Sequence, residues 1–125
     1  MLFDTDILIW VQRGNNKAAR LIDRTPDRKI SIQTFMELLQ GAQAKGQQLQ
    51  TKKFLADFNF EVLPFTEKIG HRASIYVEEY SLASGLRAGD AIVAATAVEN
   101  NLELATGNKK HFKAIKDLSL RAFKP

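Results

Sequence analysis

The sequence predicts a three-layer α/β/α fold around a central, mainly parallel sheet. Short apolar runs alternate with helical stretches from one end of the chain to the other, the pattern left by strand–helix–strand crossovers. Two helical stretches, Ile7–Val11 and Ala91–Ala97, are apolar or small nearly all round, as helices are when covered on most sides. Polar residues gather where strands give way to helices, and ligands of open α/β sheets bind at the carboxyl ends of the strands.

The run Leu2-Phe3-Asp4-Thr5-Asp6-Ile7-Leu8-Ile9 opens the chain. Met1 to Phe3 suits a short buried strand, and Asp4, of a residue type depleted inside strands, marks its end. A helix follows over 6–13, with Thr5 or Asp6 as its expected cap, and Gly14-Asn15-Asn16 breaks it. A second, basic helix over 17–24 carries Ala18, Leu21 and Ile22. Thr25-Pro26-Asp27 is a turn, and 29–32 a strand. The helix over 33–44 is read with Met36, Leu38 and Leu39 on its apolar face and Glu37 on a polar stripe with Gln33 and Gln40. The next, over 47–58, turns Phe54, Leu55 and Phe58 inward. Phe60–Leu63 is a strand that stops at Pro64.

Thr66-Glu67 starts a long helix whose Ile69, Ala73, Tyr76, Val77 and Tyr80 keep the helical period to about Ser84. His71 falls off that face, and the two tyrosines read as core. Gly85 and Gly89 bracket a loop, a helix spans 90–101, a strand spans 102–106, Gly107-Asn108 is a turn and 118–123 is an edge strand.

A chain of 125 residues is expected to form one domain, residues 1–125, large enough to bury a core without staples. It has no cysteine, which excludes disulfides and thiolate metal sites and suits a reducing, cytoplasmic setting. No apolar run approaches a membrane span. The net charge is +4, and its distribution says more than its sum. Six basic residues lie between Arg13 and Lys29 against Asp23 and Asp27, and six more between Lys109 and Lys124 against Asp117. Such flanks suit a polyanionic partner, or else a solvated surface.

Asp4 lies in an apolar run, and a buried acid is expensive unless a cation meets it. Asp90 starts a helix, where the helix dipole alone would favour an acid, yet the apolar residues after it put that helix end inside the protein. Asn108 follows a strand end as Asp4 does. By itself Glu37 reads as a solvent-facing residue. Together Asp4, Glu37, Asp90 and Asn108 fall at two strand ends and two helix starts or first turns. Oxygen donors with few imidazoles and no thiols suit a hard cation, Mg²⁺ or Mn²⁺. Such ions polarise phosphoryl oxygens and activate water, so phosphodiester hydrolysis is the natural use, with the basic flanks contacting phosphates.

Four segments, in this order and over nearly the whole chain, carry a resemblance. They are Leu2–Ile9, Glu37-Leu38-Leu39-Gln40-Gly41-Ala42, Gly89–Ala97 and Leu104-Ala105-Thr106-Gly107-Asn108 with Phe112 beyond. The chain resembles the PIN-domain ribonucleases, specifically the VapC-type toxins of toxin–antitoxin pairs. The resemblance implies a metal-dependent endoribonuclease in which Asp4 and Asp90 hold the metal, Glu37 is the second acid of the set and Asn108 occupies a fourth, usually acidic position. It also implies a VapB-type antitoxin as partner and a homodimer. Asp6 stands where the family usually has Asn, and could be a further ligand or a helix cap. The first helix, apolar on almost every side, and the basic one after it are the expected partner-covered surface.

Two rival classes remain on the sequence alone. Asp4-Thr5-Asp6 after an apolar strand also mimics a haloacid-dehalogenase-type phosphatase, with Asp4 as nucleophile, although Ile7-Leu8 stands where that family expects Gly-Thr. A non-catalytic binding module would keep the acids to hold an arginine-rich partner. His111, in a basic turn, is left out of the acid–base scheme.

Overall fold

The computed structural model describes all 125 residues. Strands β1 (Leu2–Phe3), β2 (Arg28–Ser31), β3 (Phe60–Leu63), β4 (Leu104–Thr106) and β5 (Leu120–Ala122) form one sheet in the order β3-β2-β1-β4-β5. Every neighbouring pair is parallel, so the sheet is wholly rather than mainly so. The helices are α1 (Thr5–Gln12), α2 (Asn16–Arg24), α3 (Ile32–Gly41), α4 (Lys45–Asp57), α5 (Glu67–Ser84), α6 (Ala88–Glu99) and α7 (Lys109–Phe112).

Successive strand residues face opposite sides of a sheet, and here they feed two cores. Leu2 and Leu104 join Ile69, Ala73, Tyr76 and the alanines of α6 on one face. Phe3 and Ala105 join Ile7, Leu8, Ala18, Ile22 and Leu38 on the other. The small side chains of α6 let it bury most of its circumference, which explains its all-round apolar sequence. On the α5–α6 side, Arg72 pairs with Glu99 and Asp117, and Tyr76 donates its hydroxyl to Asp117 Oδ1 at 3.0 Å. Tyr76 is thus core, with a satisfied polar tip.

The strand order matters for function. From β1 the chain moves outward to β2 and β3, then returns to the other side of β1 for β4 and β5. The direction reverses between β1 and β4, and the crevice at such a switch point, outside the carboxyl ends of the strands, is where open α/β sheets take ligands. Asp4 leaves β1 there, and Gly107 and Asn108 leave β4.

Several sequence expectations need correction. The cap of α1 is Asp4 itself, which accepts from the Thr5 N–H, rather than Thr5 or Asp6. α3 stops at Gly41, and its inward residues are Thr34 and Leu38, while Met36 is half exposed. The ridge facing the sheet is set by what α3 packs against, which periodicity alone did not fix. Phe58 caps the end of α4 and is only partly covered, its ring against Phe54. α6 begins at Ala88, so Gly89 lies in its first turn and no loop reaches as far as Asp90. The stretch after Asn108 winds into α7, too short for a periodicity to reveal.

Because Phe3 is fully buried between β1 and the α1–α3 layer, Phe3→Ala should cost about 3–5 kcal/mol of stability. Urea unfolding measures this directly, and a loss below about 1 kcal/mol would contradict the two-core description.

Candidate active site

At the switch point four acids and a set of hydroxyls are drawn together by α1, α3, α6 and the β4–α7 turn. Asp4 is buried, at 6% exposure. Its Oδ1 accepts the Thr5 N–H at 2.8 Å and its Oδ2 accepts the Thr106 hydroxyl at 2.7 Å. Thr106 Oγ1 in turn accepts the Asn108 N–H at 3.0 Å. The cap of α1 and the end of β4 are thus locked to one carboxylate.

Asp6, two residues on, reaches across to the same loop, where its Oδ2 accepts the Gly107 N–H at 2.8 Å. A Cβ at Gly107 would stand 2.5 Å from Asp6 Oδ2, so any larger residue there must displace that carboxylate. The other oxygen, Asp6 Oδ1, is buried and has no hydrogen-bond partner. Buried polar atoms are nearly always paired, so an orphaned carboxylate oxygen beside a second buried acid fits a site that takes a cation.

Glu37 sits on the exposed side of α3, as its stripe suggested, yet it is held. The Thr5 hydroxyl lies 2.7 Å from Glu37 Oε1 and 3.0 Å from Thr34 Oγ1, and Thr34 Oγ1 lies 3.3 Å from Ser31 Oγ. A hydroxyl has one proton to give. The carboxylate is the stronger acceptor, so Thr5 donates to Glu37 and accepts from Thr34. Gly89 lets α6 approach this point, since a Cβ there would lie 3.1 Å from Gln33 Nε2 and 3.7 Å from Glu37 Oε2.

Asp90, in the first turn of α6, accepts the Arg87 N–H at 3.3 Å through Oδ2, and His111 Nδ1 lies 3.5 Å from the same oxygen. Asn108 is exposed and is tied in by its backbone alone.

The structure therefore brings Asp4, Asp6, Glu37 and Asp90 to one end of the sheet, with Asn108 at the rim. No three carboxylate or imidazole side chains close round a common point as a finished cage would. The donors are all oxygen, which suits a hard divalent cation. His111, Gln33 and Thr34 are additions to the sequence reading. Nothing in the sequence foretold that α7 would fold His111 back onto Asp90.

Crowding shows in the acid strengths. Burial, with a further push from Asp6 and Asp90, raises the Asp4 pKa from 3.8 to about 7, against the pull of the Thr106 and Thr5 hydrogen bonds. Asp6 is also raised, chiefly by burial and to a lesser degree by Asp90, against the Gly107 N–H.

Fold and site together define a PIN-domain protein, and the PIN domain family model matches residues 1–118. The chain belongs to this family, and within it to the VapC ribonucleases. It is 34% identical over 123 residues to Ribonuclease VapC10 of Mycobacterium tuberculosis, across 94% of this chain and 90% of that protein. Among solved structures it is similar to a toxin–antitoxin complex from Klebsiella pneumoniae, with TM-score 0.80 and 34% identity over 94% of this chain and 93% of that one. It is also similar to VapBC-1 from nontypeable Haemophilus influenzae, with TM-score 0.79 and 25% identity over 97% and 96% of the two chains. The phosphatase reading falls with this assignment. Asp4, buried with both oxygens hydrogen-bonded, is also poorly placed to attack a phosphoryl group.

The raised Asp4 value has a sign. Its folded value lies above the unfolded 3.8, so ionisation opposes folding: the cost is absent well below 3.8, grows as pH rises, and is complete above about 7. Asp4→Asn should accordingly stabilise the protein in EDTA at about pH 8, by up to on the order of 4 kcal/mol, with the gain vanishing near pH 3. Urea unfolding across pH checks this, and a gain independent of pH would contradict the electrostatic origin. Gly107→Ala should destabilise at every pH, because the clash with Asp6 is steric.

Proposed function

We propose that the chain is a metal-dependent endoribonuclease, the toxin of a toxin–antitoxin pair, which hydrolyses RNA phosphodiesters at the Asp4–Asp6–Glu37–Asp90 site. The observation that carries this reading is the orphaned Asp6 Oδ1 beside the buried Asp4 carboxylate at the switch point. Asp4 and Asp90, with Glu37 and the free oxygen of Asp6, would hold Mg²⁺ or Mn²⁺. Bound there, the ion supplies Lewis-acid polarisation of the scissile phosphate.

The chain's own residues do the rest. Glu37 accepts the proton of the attacking water, with its carboxylate aimed by the Thr5 hydroxyl. Thr106 and the Thr5 N–H fix the orientation of Asp4, as outer partners of a metal ligand do. The Asn108 amide, at the rim, can hydrogen-bond a phosphate oxygen. Cleavage should rise with pH up to about 7, because Asp4 must give up its proton to ligate.

A VapB-type antitoxin is the proposed protein partner. Of the apolar residues on α1, Ile7 and Leu8 are buried, while Ile9, Trp10 and Val11 are only half covered. Ile9, Leu38 and Phe54 line a groove of about 520 Å³ between α1, α3 and α4, with Glu37 and Arg13 at its edge. An apolar segment laid there could bring a basic side chain to Glu37 and the acids beyond, so inhibition follows from charge pairing. The exposed face of α2 is cationic and does not continue this groove, which narrows the expected partner surface to α1. A homodimer, also implied by the resemblance, remains part of the proposal.

Asp4→Asn and Asp90→Asn should each reduce Mg²⁺-dependent RNA cleavage to background while the circular dichroism spectrum stays native. Full cleavage by purified Asp4→Asn protein would end the metal-site reading. Asp6→Asn, whose amide oxygen can keep the Gly107 contact, should stay within about tenfold of wild type and need more Mg²⁺. A loss as deep as that of Asp4→Asn would make Asp6 an indispensable ligand. Antitoxin binding should protect α1 amides from hydrogen exchange, and unchanged exchange there would contradict the groove assignment.

A further inference from the structure

Five cations that no acid answers are gathered along one groove of the molecule. Lys17, Arg20 and Arg24 recur at the three- and four-residue spacing that places them on one exposed face of α2, opposite the buried Ala18 and Ile22. β5 and the residues just after it bring Arg121 and Lys124 up to that face. The five side chains border a groove of about 330 Å³ with Leu21 and Phe123 also in its lining. All five are exposed, and none makes an ion pair, in contrast to Lys29 and Arg72, which each meet two carboxylates. Asp23, the one acid on α2, pairs with none of them. Like charges held together repel, so this arrangement favours a polyanion.

The groove leads to the acids. Ala122 is in register with Thr106, and the Phe123 N–H donates to Thr106 O at 2.8 Å. Phe123 O lies 3.5 Å from where a Cβ on Gly107 would stand. Thr106 holds Asp4 and Gly107 holds Asp6, so the groove residues Ala122 and Phe123 lie directly against the two residues of the β4 end that hold the acids.

We propose that the α2–β5 groove holds the phosphate backbone of the single-stranded RNA segment next to the scissile bond, an inference that rests on the ribonuclease reading. The five cations are the phosphate contacts, and Leu21 with Phe123 offers the apolar surface on which unstacked bases settle. The site's own acids repel a phosphodiester, so a cationic track beside them keeps the strand bound while the bond at the acids is cut.

The test uses the full chain and an unstructured, fluorescently labelled RNA oligonucleotide, with binding followed by anisotropy in EDTA across a KCl series. R20Q/R24Q/R121Q should weaken binding at low salt by about tenfold or more and flatten the slope of log K against log[KCl] by about 2, since each single-strand phosphate contact contributes about 0.7. In Mg²⁺ the same protein should show a raised KM with kcat retained. R20K/R24K/R121K, which preserves charge, should bind within a few-fold of wild type, and K52Q/K53Q on α4 should change neither slope nor KM. Wild-type affinity and slope in the triple glutamine variant would overturn the proposal. So would loss of antitoxin binding with RNA binding intact, which would make the groove a protein site. If wild-type protein binds RNA through these arginines but cuts none, the groove stands and the ribonuclease reading fails. If it cuts RNA and the arginines are dispensable, the reverse holds.

Discussion

A carboxylate buried among other carboxylates is the constraint on which the rest of this structure depends. β1 is two residues long and fully covered, so the residue that follows it has nowhere to go but the end of the core. That residue is Asp4, capping α1 with one oxygen and gripping Thr106 with the other. Placing Asp6 two residues on and Asp90 across the opening makes charge accumulate where water is scarce. A fold that evolved only for stability would relieve this with an amide or an apolar side chain. Keeping the acids is expensive in the free protein and returns a strong field for a cation.

The supporting parts follow from that constraint. Thr5, Thr34 and Ser31 form a run of hydroxyls that fixes Glu37, an otherwise exposed residue, at the edge of the acidic cluster. Gly107 and Gly89 are the two places where backbone approaches an acid or its neighbour so closely that a side chain would intrude. The small residues of α6 allow Asp90, in its first turn, to be carried into the interior end of the sheet. The charge on the outside is arranged to match: acids at the switch point, and unpaired cations alongside on α2 and β5.

Much of this was legible in the sequence, and the reasons differ by element. The strand after Asn59 and the long helix from Glu67 to Ser84 were plain because Pro64, Thr66 and Gly85 punctuate them. Asp4 and Asp90 were legible as candidates because acids stood at the ends of apolar runs, whereas Glu37, on a polar stripe inside α3, stood out only through the family resemblance. The capping role of Asp4 was not, since a cap and a strand-end ligand leave the same trace in one dimension. The exposure of Met36, the start of α6 at Ala88 and the existence of α7 depend on tertiary packing, which a local pattern does not encode. His111 illustrates the limit best. Its proximity to Asp90 is created by a single helical turn with no periodicity to announce it. The clasp of Asp6 by Gly107 spans 101 residues of sequence and could be seen only in three dimensions.

The central claim is that these acids form a cation site whose occupation is coupled to the proton on Asp4. Calorimetric titration of the wild-type protein with Mn²⁺, in buffers of different ionisation enthalpy at about pH 6 and about pH 8, measures affinity and proton release together. The account predicts binding that is markedly tighter at the higher pH, with close to one proton released per ion at about pH 6 and far fewer at about pH 8. Binding that is absent at both pH values, or equally tight at both with no proton released, would contradict it.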